Sequence, residues 1–99
     1  APDDGRAAAV RAEFGWPADV PVVGLFGQLL PHKGHATLID AAPAIRAAVP
    51  GTRFVFVGAL ENPPYEADLR RRLADAGLSD AFTFTGWRTD VPHLMRAVD

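Results

Sequence analysis

One segment of this chain concentrates charge and backbone freedom in a single place. In residues 27–35 (GQLLPHKGH), Lys33 stands directly before Gly34, where an apolar helical repeat begins. The first amides of a helix have no carbonyl partner inside it, and the aligned peptide dipoles add positive potential at that end. An ammonium group beside such amides suits an anion, and a phosphate above all. Lys33 is the only lysine among ten basic residues, which marks a position where a compact, flexible point charge is used in place of the arginine preferred elsewhere. The other reading of Lys33 is a solvated loop lysine. Two known phosphate patterns do not apply: GxxxxGK[ST] needs Gly before the lysine and Ser or Thr after it, where His32 and Gly34 stand, and no GxGxxG occurs.

Two further loops open on glycine, residues 58–64 (GALENPP) and 86–90 (GWRTD). In the second, Trp87 and Arg88 are of the types that bracket a nucleobase, although packing of Trp87 on a neighbouring helix is an equal alternative. His32 and His35 share an H-x-x-H spacing. A nearby ammonium repels a dication and no third ligand stands close, so no metal is expected; a hydrogen bond to a phosphate or a sugar hydroxyl is the other use. His93 is expected on a helix surface. The run Arg70-Arg71-Arg72 has carboxylates four positions earlier at Glu66 and Asp68, which reads as a solvated helix face. Ser79 is the only serine and no histidine–carboxylate pair is spaced beside it, so no nucleophile triad can be assembled. Nor are two carboxylates placed for glycoside hydrolysis.

Positioning these residues requires a scaffold, and 99 residues allow one small domain. With no cysteine, thiolate metal sites and disulfide frameworks are excluded. A net charge of -2, with both signs spread evenly, offers no basic stripe for nucleic acid. No apolar run reaches the length of a membrane span and no signal peptide is visible, so a soluble, cytoplasmic segment is expected. The chain opens on Ala1 and stops at Asp99 inside an expected helix, as a piece of a longer protein would.

Residues 20–26 (VPVVGLF), 53–57 (RFVFV) and 82–85 (FTFT) are apolar, β-branched or aromatic, and closed by glycine, as buried strands are. Between them lie residues 36–49, with Leu38, Ala41, Ile45 and Ala48 at helical spacing, and 65–76, with Tyr65, Leu69, Leu73 and Ala76. Pro43 predicts a kink in the first of these helices. Asn62 is placed to cap the second, with Pro63 at its first position and Gly77 stopping it. Flanking helices are expected over 5–14 and 91–98, the latter capped by Asp90. Right-handed crossovers make the strands parallel, giving an α/β, Rossmann-like, three-layer βαβαβ half-domain. Residues 1–19 form a helix and linker, and residues 20–99 the βαβαβα core. In such a sheet a ligand lies beyond the carboxyl ends of the strands, where the three glycine-led loops meet.

The order VVGLFGQLLPHKGHATLIDAA, PGTRFVFVGA, FTFTGWRTDVPHLMRAVD resembles the C-terminal, donor-binding domain of retaining GT-B glycosyltransferases, group 1 or family 4, over residues 20–99. The resemblance implies a two-domain enzyme that transfers a sugar from a nucleotide diphosphate sugar, a UDP- or GDP-sugar, to an acceptor held by a preceding domain. No cofactor or metal is implied. Carried over by position, Lys33 contacts the donor diphosphate and stabilises the charge that grows on it as the glycosidic bond breaks. Gly27 and Gly34 permit close backbone approach, and Gln28 stands where the family often has an arginine. Gly58 and Ala59 lie near the nucleoside, while Gly86, Trp87 and Arg88 form the edge against the base. The family's glutamate pair would follow Asp99, and its acceptor domain would precede Ala1. The chain alone is therefore expected neither to transfer sugar nor to bind a nucleotide sugar tightly. A doubly wound sheet sets a fourth strand beside the first, so the outer edge of the first strand is expected to be bare and prone to self-association. The alternative class is a flavodoxin-like binding or signalling module without enzymatic activity. Such a module needs acidic or Ser/Thr-rich strand ends, in which the three loops are poor.

Overall fold

The computed structural model describes residues 6–17, 19–89, 91–92 and 98, and of residues 6, 7 and 32 the backbone only. In chain order the elements are α1 (Arg6–Phe14), β1 (Val22–Phe26), α2 (His35–Ala48), β2 (Arg53–Val57), α3 (Pro63–Asp75) and β3 (Phe82–Gly86). Short 3-10 turns at Pro31–Lys33 and Ser79–Ala81 lead into α2 and β3. The strands form one parallel sheet in the order β1-β2-β3, with Val22 beside Arg53 and Phe54 beside Phe82. Both crossovers step in the same direction, and right-handed connections of that kind lay both helices on one face.

The alternation of side chains along β2 shows the result. Phe54 and Phe56 point into a cluster with Leu29, Ile39, Ala42, Leu69, Leu73 and Phe82, under α2 and α3. Val55 and Val57 point the other way, into a cluster with Val10, Trp16 and Val22, under α1. A central parallel strand covered on both faces is apolar throughout, and four of the five residues of β2 are buried. Aromatic contacts tie the larger core together. Phe54 stacks on Phe82 at 4.5 Å between ring centres, and Phe56 meets Phe84 edge to face at 5.2 Å. Among the described residues, the outer edge of β1 pairs with no strand.

The helix ends follow the local chemistry. Asn62 Oδ1 accepts a hydrogen bond from the Tyr65 amide at 3.2 Å, with Pro63 at the first helical position. Gly77 closes the chain after α3 at φ 72°, and Gly15 does the same after α1 at φ 71°. Helix α2 runs unbroken through Pro43. Its buried stripe is His35, Ile39 and Ala42, with Leu38 and Ile45 flanking it; Ala48, expected to face the core, is exposed. Ala76, expected on the buried stripe of α3, lies past the helix end and is also exposed. Arg70, Arg71 and Arg72 pair with Glu66 and Asp68 on an open helix face, as expected. Val91 and Pro92 are helical, whereas Asp90 and His93 lie outside the described residues. No helix among the described residues is long and apolar enough to cross a membrane.

Candidate functional site

At the carboxyl ends of the strands a cleft of about 540 Å³ opens between the loops. That volume falls within the range of about 300–1,000 Å³ typical of small-molecule sites. Its wall comprises Phe26, Gly27 and Gln28 from the end of β1, Val57, Gly58, Ala59 and Glu61 from the end of β2, and Trp87, Arg88 and Val91 beyond β3. All three glycine-led loops converge here.

The floor is built from backbone. The Gly27 amide donates to the Val57 carbonyl at 2.8 Å, the Leu29 amide to Ala59 at 3.1 Å, and the Gly58 amide to Gly86 at 3.2 Å. These bonds carry the sheet's pairing one step past the strands. Gly58, at φ 148°, sits so close beneath the first loop that a Cβ there would lie 2.0 Å from the Gly27 oxygen. Only glycine fits. Gly27 has a similar φ of 147°, yet a Cβ on it would meet nothing within 4 Å. The first glycine therefore faces open space and the second closes the floor.

The polar groups of the wall are already oriented. Gln28 Nε2 donates to Glu61 Oε2 at 2.9 Å, joining the first loop to the second. Beyond β3, the Arg88 guanidinium donates to both carboxylate oxygens of Glu13 on α1, at 2.7 and 3.1 Å. The paired, near-parallel geometry is the strong form of such a contact. The same guanidinium lies over the Phe14 ring, 5.2 Å from its centre. Trp87 is 74% exposed while lining the cleft. A bulge in the β2–β3 register leaves Thr85 unpaired, with Gly86 opposite Val57 at φ 74°. Thr85 Oγ1 donates to the Gly86 carbonyl at 2.8 Å. Bulges re-aim the chain that follows, and this one directs Trp87 to the mouth.

Of the residues singled out from the sequence, the cleft wall brings together Gly27, Gln28, Gly58, Ala59, Trp87 and Arg88. Gly86 supports the wall through its carbonyl. Lys33 and Gly34 do not line it. Lys33 ends the 3-10 turn on the loop that leaves Gln28, exposed, with its amide bonded to the Leu30 carbonyl. Gly34 adopts the left-handed conformation at φ 93° and forms the N-cap of α2, and among the described residues no side chain caps that helix end.

His35 is separated from the site. It is 1% exposed, meets Phe56 edge to face at 4.8 Å and faces the Tyr65 ring at 6.2 Å. Neither ring nitrogen has a hydrogen-bond partner among the described residues. Burial lowers its pKa from the ordinary 6.5, against a smaller opposite pull from the Leu30 backbone, whose contact falls short of hydrogen-bond geometry. A neutral ring in the core replaces the expected hydrogen bond to a ligand. The side chain of His32 lies outside the described residues.

Sequence reasoning missed Glu61, Phe26, Val57 and Val91. Glu61 was visible as the only ionisable residue between Gly58 and Pro64, and Phe26 and Val57 directly precede strand-end glycines. Among the described residues, no group of three or more His, Asp or Glu side chains is arranged to hold a metal ion.

The family described as glycosyl transferases group 1 matches residues 7–99. The GDP-mannose-dependent alpha-(1-6)-phosphatidylinositol monomannoside mannosyltransferase of Mycobacterium tuberculosis is 38% identical over 85 residues, which are 86% of this chain and 21% of that protein. The 2-deoxystreptamine glucosyltransferase of Streptomyces kanamyceticus is 33% identical over 106 residues, covering 99% of this chain and 27% of that one. Among solved structures, Anabaena HepE in complex with UDP and glucose superimposes with a TM-score of 0.84 at 31% identity, over 99% of this chain and 26% of its own. The C-terminal domain of a glycosyl transferase group 1 family protein, LpcC, from Francisella tularensis shares the fold, with a TM-score of 0.75 at 23% identity. The chain thus spans about a quarter of the length of the full relatives it matches.

Proposed function

Because this chain belongs to the group 1 glycosyl transferases, we propose that its cleft receives the nucleotide of an activated sugar and that these residues are the donor-binding part of a larger, retaining enzyme. The observation that carries this reading is the convergence of six expected residues, Gly27, Gln28, Gly58, Ala59, Trp87 and Arg88, on one cleft at the carboxyl ends of a parallel sheet. A solved relative that binds UDP and glucose at 31% identity supports it, and the mannosyltransferase relatives make GDP the other nucleotide to consider.

In this reading the nucleoside lies along Gly58 and Ala59 with its base at the Trp87 edge, and the diphosphate turns toward the first loop. Gly27 leaves room above the backbone for that approach. Gln28, held by Glu61, supplies amide hydrogen bonds in place of an arginine's charge. Lys33 and the uncapped amides at the start of α2 stand on the same loop and supply the positive potential. As the bond from sugar to diphosphate breaks, negative charge accumulates on the departing oxygen. The ammonium and helix-end amides stabilise that state more than the ground state, which is the condition for lowering the barrier. The acceptor and its binding domain come from the remainder of the enzyme, and the donor domain works in the cytoplasm.

Ligand-observed NMR titration of UDP, GDP and ADP tests the reading, because that method registers weak binding. The wild-type chain is expected to bind one of the three weakly, and Lys33→Ala to reduce that binding without altering the unfolding midpoint. Absence of binding by all three, at concentrations reaching the millimolar range, contradicts the donor reading.

A further inference from the structure

The ion pair between Arg88 and Glu13 joins two parts of the fold that are 75 residues apart in sequence. Glu13 belongs to α1, none of whose described side chains lines the cleft wall, whereas Arg88 and its neighbour Trp87 both line the cleft. We propose that Glu13 is a positioning residue for nucleotide recognition: through Arg88 it fixes the loop after β3 so that the Trp87 ring stands over the cleft as a stacking face for the base. This rests on the reading that the cleft holds a nucleotide.

The loop needs such a fixture. It leaves β3 directly after a bulge at Thr85 and a left-handed glycine, which together bend the chain at the strand end. Trp87 itself is 74% exposed, so little packing holds its ring in one place. Arg88 is the opposite case. Its side chain is 19% exposed, grips both oxygens of Glu13 and covers Phe14. Phe14 stacks on Trp16 at 4.9 Å, and Trp16 is buried against Val22, Val55 and Val57 of the sheet. The anchoring helix is itself secured, since Arg11 Nη1 donates to the carbonyls of Pro17 and Val20 at 3.2 and 2.9 Å. A chain of contacts thus runs from the rigid sheet through α1 to the residue next to the exposed indole.

A partly exposed ion pair contributes little to overall stability even in good geometry. Its effect here is on orientation, and an indole held in place before the ligand arrives loses less freedom on stacking. The pair should therefore act on the base and not on the diphosphate.

The experiment uses the chain labelled with 5-fluorotryptophan, whose two fluorine signals, from Trp16 and Trp87, are assigned with Trp87→Phe. Glu13→Gln is expected to broaden the Trp87 signal and move it toward its position in the unfolded chain. It should weaken binding of the preferred nucleoside diphosphate about threefold or more, part of the roughly fivefold or greater loss expected for Trp87→Ala. Binding of inorganic pyrophosphate should stay unchanged. The exchange Glu13→Arg with Arg88→Glu should restore the sharp signal, and Glu13→Gln should cause no further loss in a Trp87→Ala background. An unchanged Trp87 signal in Glu13→Gln overturns the proposal, as does an equal loss of pyrophosphate binding. If the wild type binds no nucleotide, the donor reading fails by itself, and the fluorine spectrum still decides whether Glu13 orders Trp87.

Discussion

Replacing Gly58 by alanine separates structural glycine from ligand-facing glycine in this site. The added methyl would sit 2.0 Å from the Gly27 oxygen and 2.6 Å from its carbonyl carbon, both backbone atoms that no side-chain rotation can move. The residue must also hold φ 148°, which L-amino acids rarely adopt. Holding that conformation costs about 1–3 kcal/mol. Relief of the clash requires the first loop to lift, breaking the bonds from Gly27 to Val57 and from Leu29 to Ala59. Each contributes about 1 kcal/mol net. The expected loss is about 3–5 kcal/mol, a large part of the stability of so small a domain. Urea unfolding followed by circular dichroism measures it. Gly27→Ala is the matched control, with nearly the same φ but no atom within 4 Å of the new methyl. It should lose only the conformational part, about 1–3 kcal/mol, while placing a methyl group where a ligand approaches. Equal losses for the two variants, or a Gly58→Ala protein within about 1 kcal/mol of wild type, would refute the assignment of Gly58 as the closed floor.

Three other outcomes are expected. His35 is held neutral by burial, so the unfolded chain takes up a proton below about pH 6.5 that the folded chain resists. Stability should therefore decline as pH falls from 6.5, and His35→Leu should show a shallower decline in the same unfolding series. Asn62→Ala removes the cap of α3 and should cost about 1 kcal/mol in urea unfolding, with no effect on nucleotide binding. Among the described residues no further strand lies beyond β1, and the chain should self-associate through that side of the sheet as concentration rises, seen by light scattering; a strict monomer at high concentration contradicts this.

The scaffold was readable because its signals are local. Residues 53–57 (RFVFV) form a strand because β-branched and aromatic residues run together and stop at a glycine, and the structure gives Arg53–Val57 the same bounds. Asn62, Pro63 and Gly77 mark the limits of α3 through chemistry confined to one turn. The location of the cleft followed from topology, since parallel strands bring all three following loops to one end. What was hidden depends on contacts between distant segments. Nothing near Glu13 foretells Arg88, and nothing near Gln28 foretells Glu61. Gly58 reads as a plain terminator until the Gly27 carbonyl is seen beside it. His35 misled because it flanks the lysine. Its spacing to Ile39 and Ala42, four and seven residues on, was the available sign that it turns inward.

A residue-resolved NMR titration tests the central claim most directly, by recording backbone amide shifts of the chain as UDP or GDP is added. A nucleotide in the cleft should move the amides of Gly27, Gln28, Gly58, Ala59, Trp87 and Arg88, with Lys33 and Gly34 responding to the diphosphate and the Arg70–Arg72 face staying still. Shifts confined to that arginine face, or none at any residue of the cleft wall, would contradict the account.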